Sequence, residues 1–540
     1  MYNVTLVRMA WHFLGKGDPM RKDSLSGASA MVMLAALVLG VLAIFAAVGQ
    51  EAGAAPRENA DEMVSAAAPG IGTADQATLR RYAEGTWASF EAMTDPDTGL
   101  PADSLRADGE RSVQTSTTNI GAYMWSALVA EKLGIISHEE AVSRLDRTIS
   151  TLEGMERHGP SGQYYNWYDI RTGKKLTYWP PTGEPLRPWL SSVDNGWLAV
   201  GLELVRNTTP ELSERAGALY DSMDFGFYYR PDANRILFHY APATDTEPVS
   251  APCCYDTIVS ESRIASYIGI GKGEIPQREY FGANRTFPDT CAWNWQETRP
   301  QGFHRTYYGV DVYEGSYEYN GTRLVPSWGG SMFEALMPTL FVPEEKWAPE
   351  SWRTNHPLTV RAQIHHGLDE AQYGYWGFSP SNVPEGGYTV YGVDAVGMDP
   401  NGNPSNNDRT LVDHGWDDPG CLRAPQPDPP ASEYTNGVVT PHAAFLALRY
   451  APGQTMQNLR NIEQDFDGGY TDWGFRDSVN VDSGRVSDYY LSLDQGMIMA
   501  SIGNALADDM LRKGFVTKGF QQRVKPVMNV EEFSATPNVR

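Results

Sequence analysis

The stretch SHEEAVSRLDRTISTLEGM, residues 137–155, reads as a helix with a single apolar face. Val142, Leu145, Ile149 and Leu152 form its stripe, and Ser137 and Glu140 have capping-box spacing at its start. The stretch DQGMIMASIGNAL, residues 494–506, is different: it is apolar nearly all round. A helix of the first kind covers a surface, whereas one of the second kind is enclosed on every side. Chains that alternate the two kinds build an inner ring of helices wrapped by an outer ring.

The alternation runs along most of the chain. Helical patterns occupy 74–94, 118–136, 137–155, 194–207, 211–224, 253–273, 329–341, 357–372, 440–452, 455–466 and 492–515. No run of alternating strands competes with them, although 235–242 and 468–480 could form small hairpins. Two irregular stretches, 275–329 and 374–438, exceed ordinary loop lengths and are expected at one rim. The expected fold is all-α: a helical toroid with long aromatic-rich loops at its mouth. The domain reading is 1–54 export signal or anchor, 55–74 linker, 75–520 toroid and 521–540 C-terminal tail.

Arg21 and Lys22 precede an apolar run from about Ala30 to Val48, and Ala52-Gly53-Ala54 offers a small-x-small cleavage site. Export, to the outside or the cell envelope, is therefore expected, with a membrane tether as the alternative if the run is retained. The net charge of −24 repels nucleic acid and anionic polymers, so a neutral partner is expected. Four cysteines, Cys253, Cys254, Cys291 and Cys421, permit disulfides after export, and a bridge from the first pair to Cys291 is expected.

The chain holds 15 Trp and 28 Tyr, many in Gly/Asn/Pro-rich stretches such as YYNWYDIRTG and QYGYWGFSPSN. Aromatics in loops can line a site for a ring-shaped ligand, since a flat ring stacks on sugar C–H faces; covering a core is the alternative. Glycosidic cleavage needs two carboxyl groups, and three helical segments point acids inward. In CCYDTIVSESRIASYIGIGKG (253–273) the stripe of Ile264, Ile268 and Gly271 projects back onto Glu261, with Asp256 just ahead. Glu334 shares a face with Met337 and Phe341, and Asp194 starts a strongly apolar helix. Asp194 and Asp256 could instead be helix caps, and Glu261 and Glu334 buried ion-pair members.

His365, His366, His414 and His442 lack H-E-x-x-H spacing, so no transition metal is assigned. Residues 399–418 are rich in Asp and Asn but lack the sixth-place Gly and twelfth-place Glu of a calcium loop, so a solvated loop is preferred to a calcium site. No cofactor is expected.

The blocks TSTTNIGAYMWSALVA, WYDIRTGKKL with SSVDNGWLA, YDTIVSESRIASYIGIGKGEIP, LVPSWGGSMFEALMP, YGYWGFSPS with YTVYGVDAVGM, VVTPHAAFLALRYAP and YYLSLDQGMIMASIGNAL run in order from about residue 115 to 507. Together they resemble the glucoamylase-like family of carbohydrate-active proteins, which includes endo-β-1,2-glucanases and the central domain of cyclic β-1,2-glucan synthases. The resemblance implies an (α/α)6 toroid and a glycan substrate, most directly a β-1,2-type glucan. It implies that Asp194, Asp256, Glu261 and Glu334 are the acidic cleft residues, with Glu261 as first candidate for the general acid. It implies that Asn119, Asn195, Arg263, Trp328, Trp376, Tyr391, Asp394 and Gln495 contact sugar. Where family members read HHQG this chain reads SLDQG, which places Asp494 beside Gln495. The competing functions are a non-catalytic glycan binder, a transglycosylase and a hydrolase of another envelope polysaccharide.

Overall fold

The computed structural model describes residues 71–286, 300–398, 430–435 and 437–537. These residues belong to one unit, Met63–Arg540.

Among the described residues, six helices are buried along nearly their whole length: Thr117–Lys132, Ser192–Thr208, Arg263–Lys272, Met332–Leu336, Pro441–Leu446 and Ser492–Leu506. They touch in that order, and the last returns to pack on the first, so the ring is closed. Outside it lie Thr73–Met93, His138–Gly154, Ser213–Asp221, Trp352–His365, Pro452–Asp465 and Lys518–Asn529. This is the (α/α)6 toroid that the resemblance implied.

Small residues let the inner helices approach. A Cβ added to Gly496 would stand 2.6 Å from the Cβ of Ala122, and one on Gly121 would collide with the carbonyl of Trp197. Trp125, Trp197 and Phe341 fill the space below, with ring centroids 4.9–6.3 Å apart.

Short ladders set the entry to five inner helices. Gln114–Ser116 pairs with Trp167–Asp169, Leu190–Ser191 with His239–Tyr240, and Ser327–Trp328 with Gly397–Met398. Val438–Val439 pairs with Val479–Asn480, and Tyr489–Leu491 with Ser104–Arg106. Each ladder delivers its chain to the N-terminus of the inner helix that follows it.

Three sequence expectations change. The 253–273 helix is shorter than its periodicity suggests: only Arg263–Lys272 is α-helical, and Asp256–Ser262 is turn and bend. The 275–329 stretch contains a three-stranded antiparallel sheet, Gln301–Tyr307, Val310–Tyr319 and Thr322–Leu324. Its turns are Tyr308-Gly309 and Asn320-Gly321, with all four φ values positive, as two-residue type I′ hairpin loops require.

The C-terminal stretch read as a tail supplies an outer helix. Lys518–Asn529 crosses the boundary drawn at 520 and backs Arg263–Lys272, with Phe520 against Gly271. Beyond it, buried Glu531 pairs with buried Arg285, and Thr536 bridges to Arg323. The sulfurs of Cys253 and Cys254 stand against each other, and the expected bridge to Cys291 lies outside the described residues, as does Cys421. The 1–54 segment and the 399–418 stretch also lie outside them. Among the described residues no helix is long and apolar enough to cross a membrane.

Candidate active site

Three inner helices begin alike. Ser116, Ser191 and Ser331 are N-caps whose hydroxyls accept from the backbone N–H of Asn119, Asp194 and Glu334 at 3.2, 3.0 and 3.4 Å. A serine cap satisfies one orphan donor of the first turn and places the residue three positions on at the rim of the ring. Asp194 is therefore not the cap of its helix; Ser191 is.

Asp194, Glu261 and Glu334 share one acidic neighbourhood. Glu334 Oε2 accepts from both the Ser260 hydroxyl and the backbone N–H of Glu261, each at 2.8 Å. Glu261 Oε2 accepts from Trp197 Nε1 at 2.6 Å. Asp194 Oδ1 accepts from the Thr118 hydroxyl at 2.6 Å, and the Asn166 amide, turned so that its nitrogen faces the carboxylate, donates to Oδ2 at 2.9 Å. All three acids are buried, Glu261 and Asp194 at 8% exposure and Glu334 at 1%.

Burial, then the Glu334 charge, pushes the Glu261 carboxyl well above the usual range, and Asp194 adds to the effect. Burial also raises Asp194, against the hydroxyl donors Ser191 and Thr118 that favour its ionised form. The pattern is that of an acid that keeps its proton beside a carboxylate whose two oxygens are held by donors.

Asp256 belongs to a different neighbourhood. It is half-buried, its carboxylate accepts from the Thr257 hydroxyl at 3.3 Å, and burial raises it against the charge of Arg235.

The residues expected to contact sugar divide similarly. Asn119 lies at the rim and donates to Asp103 Oδ1 at 2.9 Å. Arg263 lies instead behind the site. Its donors go to Glu344, to the Ser260 carbonyl and to the carbonyls of Glu334 and Ala335, and its guanidinium stacks over Trp352. It braces the turn that carries Glu261. Asn195 uses both amide ends on the protein, accepting from the Tyr164 N–H and donating to the Tyr164 and Ser191 carbonyls. Gln495 faces outward, donating to the Phe475 carbonyl and accepting from the Ser89 hydroxyl of the Thr73–Met93 helix. Trp328, Trp376, Tyr391 and Asp394 are all buried, at 3% exposure or less.

The sequence reading gave no site role to a second group of acids. Asp103 holds the Ser492 N–H through its carbonyl, and burial pushes its carboxyl up to about 6, with the Asp194 charge contributing. Asp494 sits three residues past Leu491 at the start of its helix, and Asp477 and His442 lie beside it. Aligning helix starts would have marked Asp494 as a site residue: STTNIG (116–121), SSVDNG (191–196) and LSLDQG (491–496) place Asn or Asp at one position and Gly two further on.

Comparison with known proteins agrees with this architecture. Residues 296–518 match the Glycoamylase family model, described as "Putative glucoamylase", and residues 81–226 match a family of unknown function, DUF3131. The chain is 22% identical, over 81% of its length, to the cyclic β-(1,2)-glucan synthase of Rhizobium meliloti, covering 18% of that protein. It is 21% identical, over 80% of its length, to the exo β-1,2-glucooligosaccharide sophorohydrolase (non-reducing end) of Parabacteroides distasonis, covering 55% of it. The chain thus spans about half or less of these relatives. The endo-β-1,2-glucanase of Chitinophaga pinensis, solved with sophorotriose and glucose, superposes with a TM-score of 0.59 at 19% identity, covering 85% of this chain and 99% of that one. Residues 296–518 thus match the glucoamylase-like family that the motif blocks resemble.

Proposed function

We propose that this protein is an exported glycoside hydrolase that cleaves a neutral β-glucan of the β-1,2 type. Glu261 is the general acid and Asp194 the second carboxylate, acting as base or nucleophile. The observation that carries the reading is the contrast between these two groups. Glu261 is buried against Trp197 and faces the charge of Glu334, so it retains its proton. Asp194 has donors on both oxygens, Thr118 and Asn166, so it is better placed to carry charge. Cleavage of a glycosidic bond uses one group of each kind. The two β-1,2-glucan-named relatives and the glucanase-like fold support the substrate class. Export rests on Arg21, Lys22 and the apolar run that follows them.

The test is release of reducing ends from β-1,2-glucan by the purified protein, set beside a panel of other neutral glycans. Activity that is confined to another polymer would replace the substrate; binding without new ends would replace the catalytic reading. The likeness to a cyclic glucan synthase favours one second reading, transglycosylation, which products longer or more cyclic than the input would establish.

A further inference from the structure

We propose that Trp179 and Trp189 form a stacking platform for the glycan beside Asp194, holding a stretch of sugar chain away from the bond that is cut. The inference rests on the glycan-cleaving function proposed above and names further residues that hold the chain.

The platform stands on the excursion between the strands Trp167–Asp169 and Leu190–Ser191. This excursion folds as two successive hairpin turns: bridges join Tyr168 to Lys175 and Tyr178 to Pro185, and Gly173 and Gly183 supply the positive φ values at the tips. Trp179 is fixed in the second turn. Its N–H donates to the Glu184 carbonyl at 2.7 Å, and its own carbonyl accepts from the Gly183 N–H at 2.7 Å. Between 171 and 185 the buried residues are Gly173 and Leu176, so the excursion has almost no core of its own for an indole to fill. Trp179 is half-buried and keeps part of its ring open. Successive residues of an extended segment face opposite ways, and the neighbouring Tyr178 is left 44% exposed.

A continuous set of contacts leads from Trp179 to the acid. Its ring centroid lies 5.1 Å from that of Trp167, edge to face at 74°. Trp167 Nε1 donates at 2.9 Å to the Asn166 amide oxygen, and the nitrogen of the same amide donates to Asp194 Oδ2. Trp189 is tied to the same residue, since its carbonyl accepts from the Asn166 N–H at 2.8 Å; its half-buried ring packs on His239 at 5.3 Å. Two indoles are thus attached to the residue that holds Asp194. A flat aromatic face stacks on the C–H face of a neutral pyranose, and a ring whose backbone is already fixed loses little freedom in doing so.

The test compares kcat/KM on a polymer with that on the shortest substrate the full chain cleaves, beside affinity electrophoresis in the same polymer. Trp179→Leu keeps an apolar side chain but no flat face. It should lower kcat/KM on the polymer about 10-fold more than on the shortest substrate, through KM, and weaken retardation in the gel. Trp179→Phe should recover most of the loss, and Tyr178→Ala should behave as the wild type. In the wild type, polymer should protect Trp179 from oxidation by N-bromosuccinimide, read by peptide mass spectrometry, a measurement that needs no variant. Equal losses on both substrates, full retardation of Trp179→Leu, or an unprotected Trp179 would overturn the proposal. A chain that cuts or binds a polymer other than β-1,2-glucan replaces the function proposed above, while the same comparisons on that polymer support or overturn the platform. A chain that binds no glycan overturns both.

Discussion

The backbone N–H of Glu261 donates to the side chain of Glu334 at 2.8 Å, so the residue proposed as acid is anchored by the carboxylate whose charge helps to protonate it. One short contact sets both the position of Glu261 and part of its proton affinity.

Glu334→Gln keeps an acceptor for the Ser260 hydroxyl and the Glu261 N–H but removes the charge. The Glu261 pKa should fall, and the alkaline limb of the kcat/KM profile should move to lower pH. A variant with an unchanged limb would show that burial alone sets the acid.

Glu261→Gln should lower kcat on a responsive glucan by about 10²–10⁴-fold, the usual contribution of a general acid, with little change in KM. Turnover measured on β-1,2-glucan checks it. Full activity would reassign the acid.

Trp197→Phe removes a donor that stabilises the ionised form of Glu261, so the alkaline limb should move the other way, to higher pH. The smaller ring also leaves space beside Trp125 and Phe341, and a loss of roughly 1–3 kcal/mol in stability is expected from denaturant unfolding. The opposite displacements in the two variants form a paired test on one group.

The raised carboxyl has a consequence for stability. The folded chain binds the Glu261 proton more tightly than the unfolded chain, so this contribution is fully present below the ordinary carboxylate pKa. It is lost as pH rises through the folded value. Glu261→Gln should therefore match the wild type in acid and exceed it in Tm at alkaline pH. Parallel Tm curves across the range would rule this out.

Glu531→Ala should destabilise the chain by about 3–5 kcal/mol, because it leaves the Arg285 guanidinium buried with, among the described residues, Glu314 at 3.7 Å as its remaining counter-charge. A chain cut after residue 517 should fail to fold, since it also loses the helix behind Arg263–Lys272. Denaturant unfolding and limited proteolysis read both outcomes.

Much of this architecture is visible in residue patterns, for physical reasons. Inner helices have no solvent face, so DQGMIMASIGNAL carries its burial openly, and SHEEAVSRLDRTIS shows its half-exposure as a stripe. The Ser137 cap is also present as read, accepting from the Glu140 N–H at 3.1 Å. Glu261 was found through a stripe that extends beyond the helix itself: Ile264 and Ile268 are helical, while Glu261 lies in the turn before them. The hairpin from 301 to 324 carried a legible Asn320-Gly321 turn, but its strands mix exposed and buried residues too irregularly to alternate cleanly. Asp103, Asp477 and His442 carry no local signal, because only ring closure brings their segments together. The roles of Arg263 and Gln495 were hidden for a related reason: their partners Glu344 and Ser89 lie on distant elements.

The sixth inner helix packs on the first, and Arg285 waits for Glu531, so contacts that complete the ring join residues hundreds of positions apart. A growing chain cannot satisfy them until its last segments have emerged from the ribosome. Helical hairpins can form early, but the circle must stay open through most of synthesis, with the faces of its inner helices unmatched. Slow final assembly is therefore inherent in this topology. Refolding experiments should find its last step to be the docking of residues 492–537.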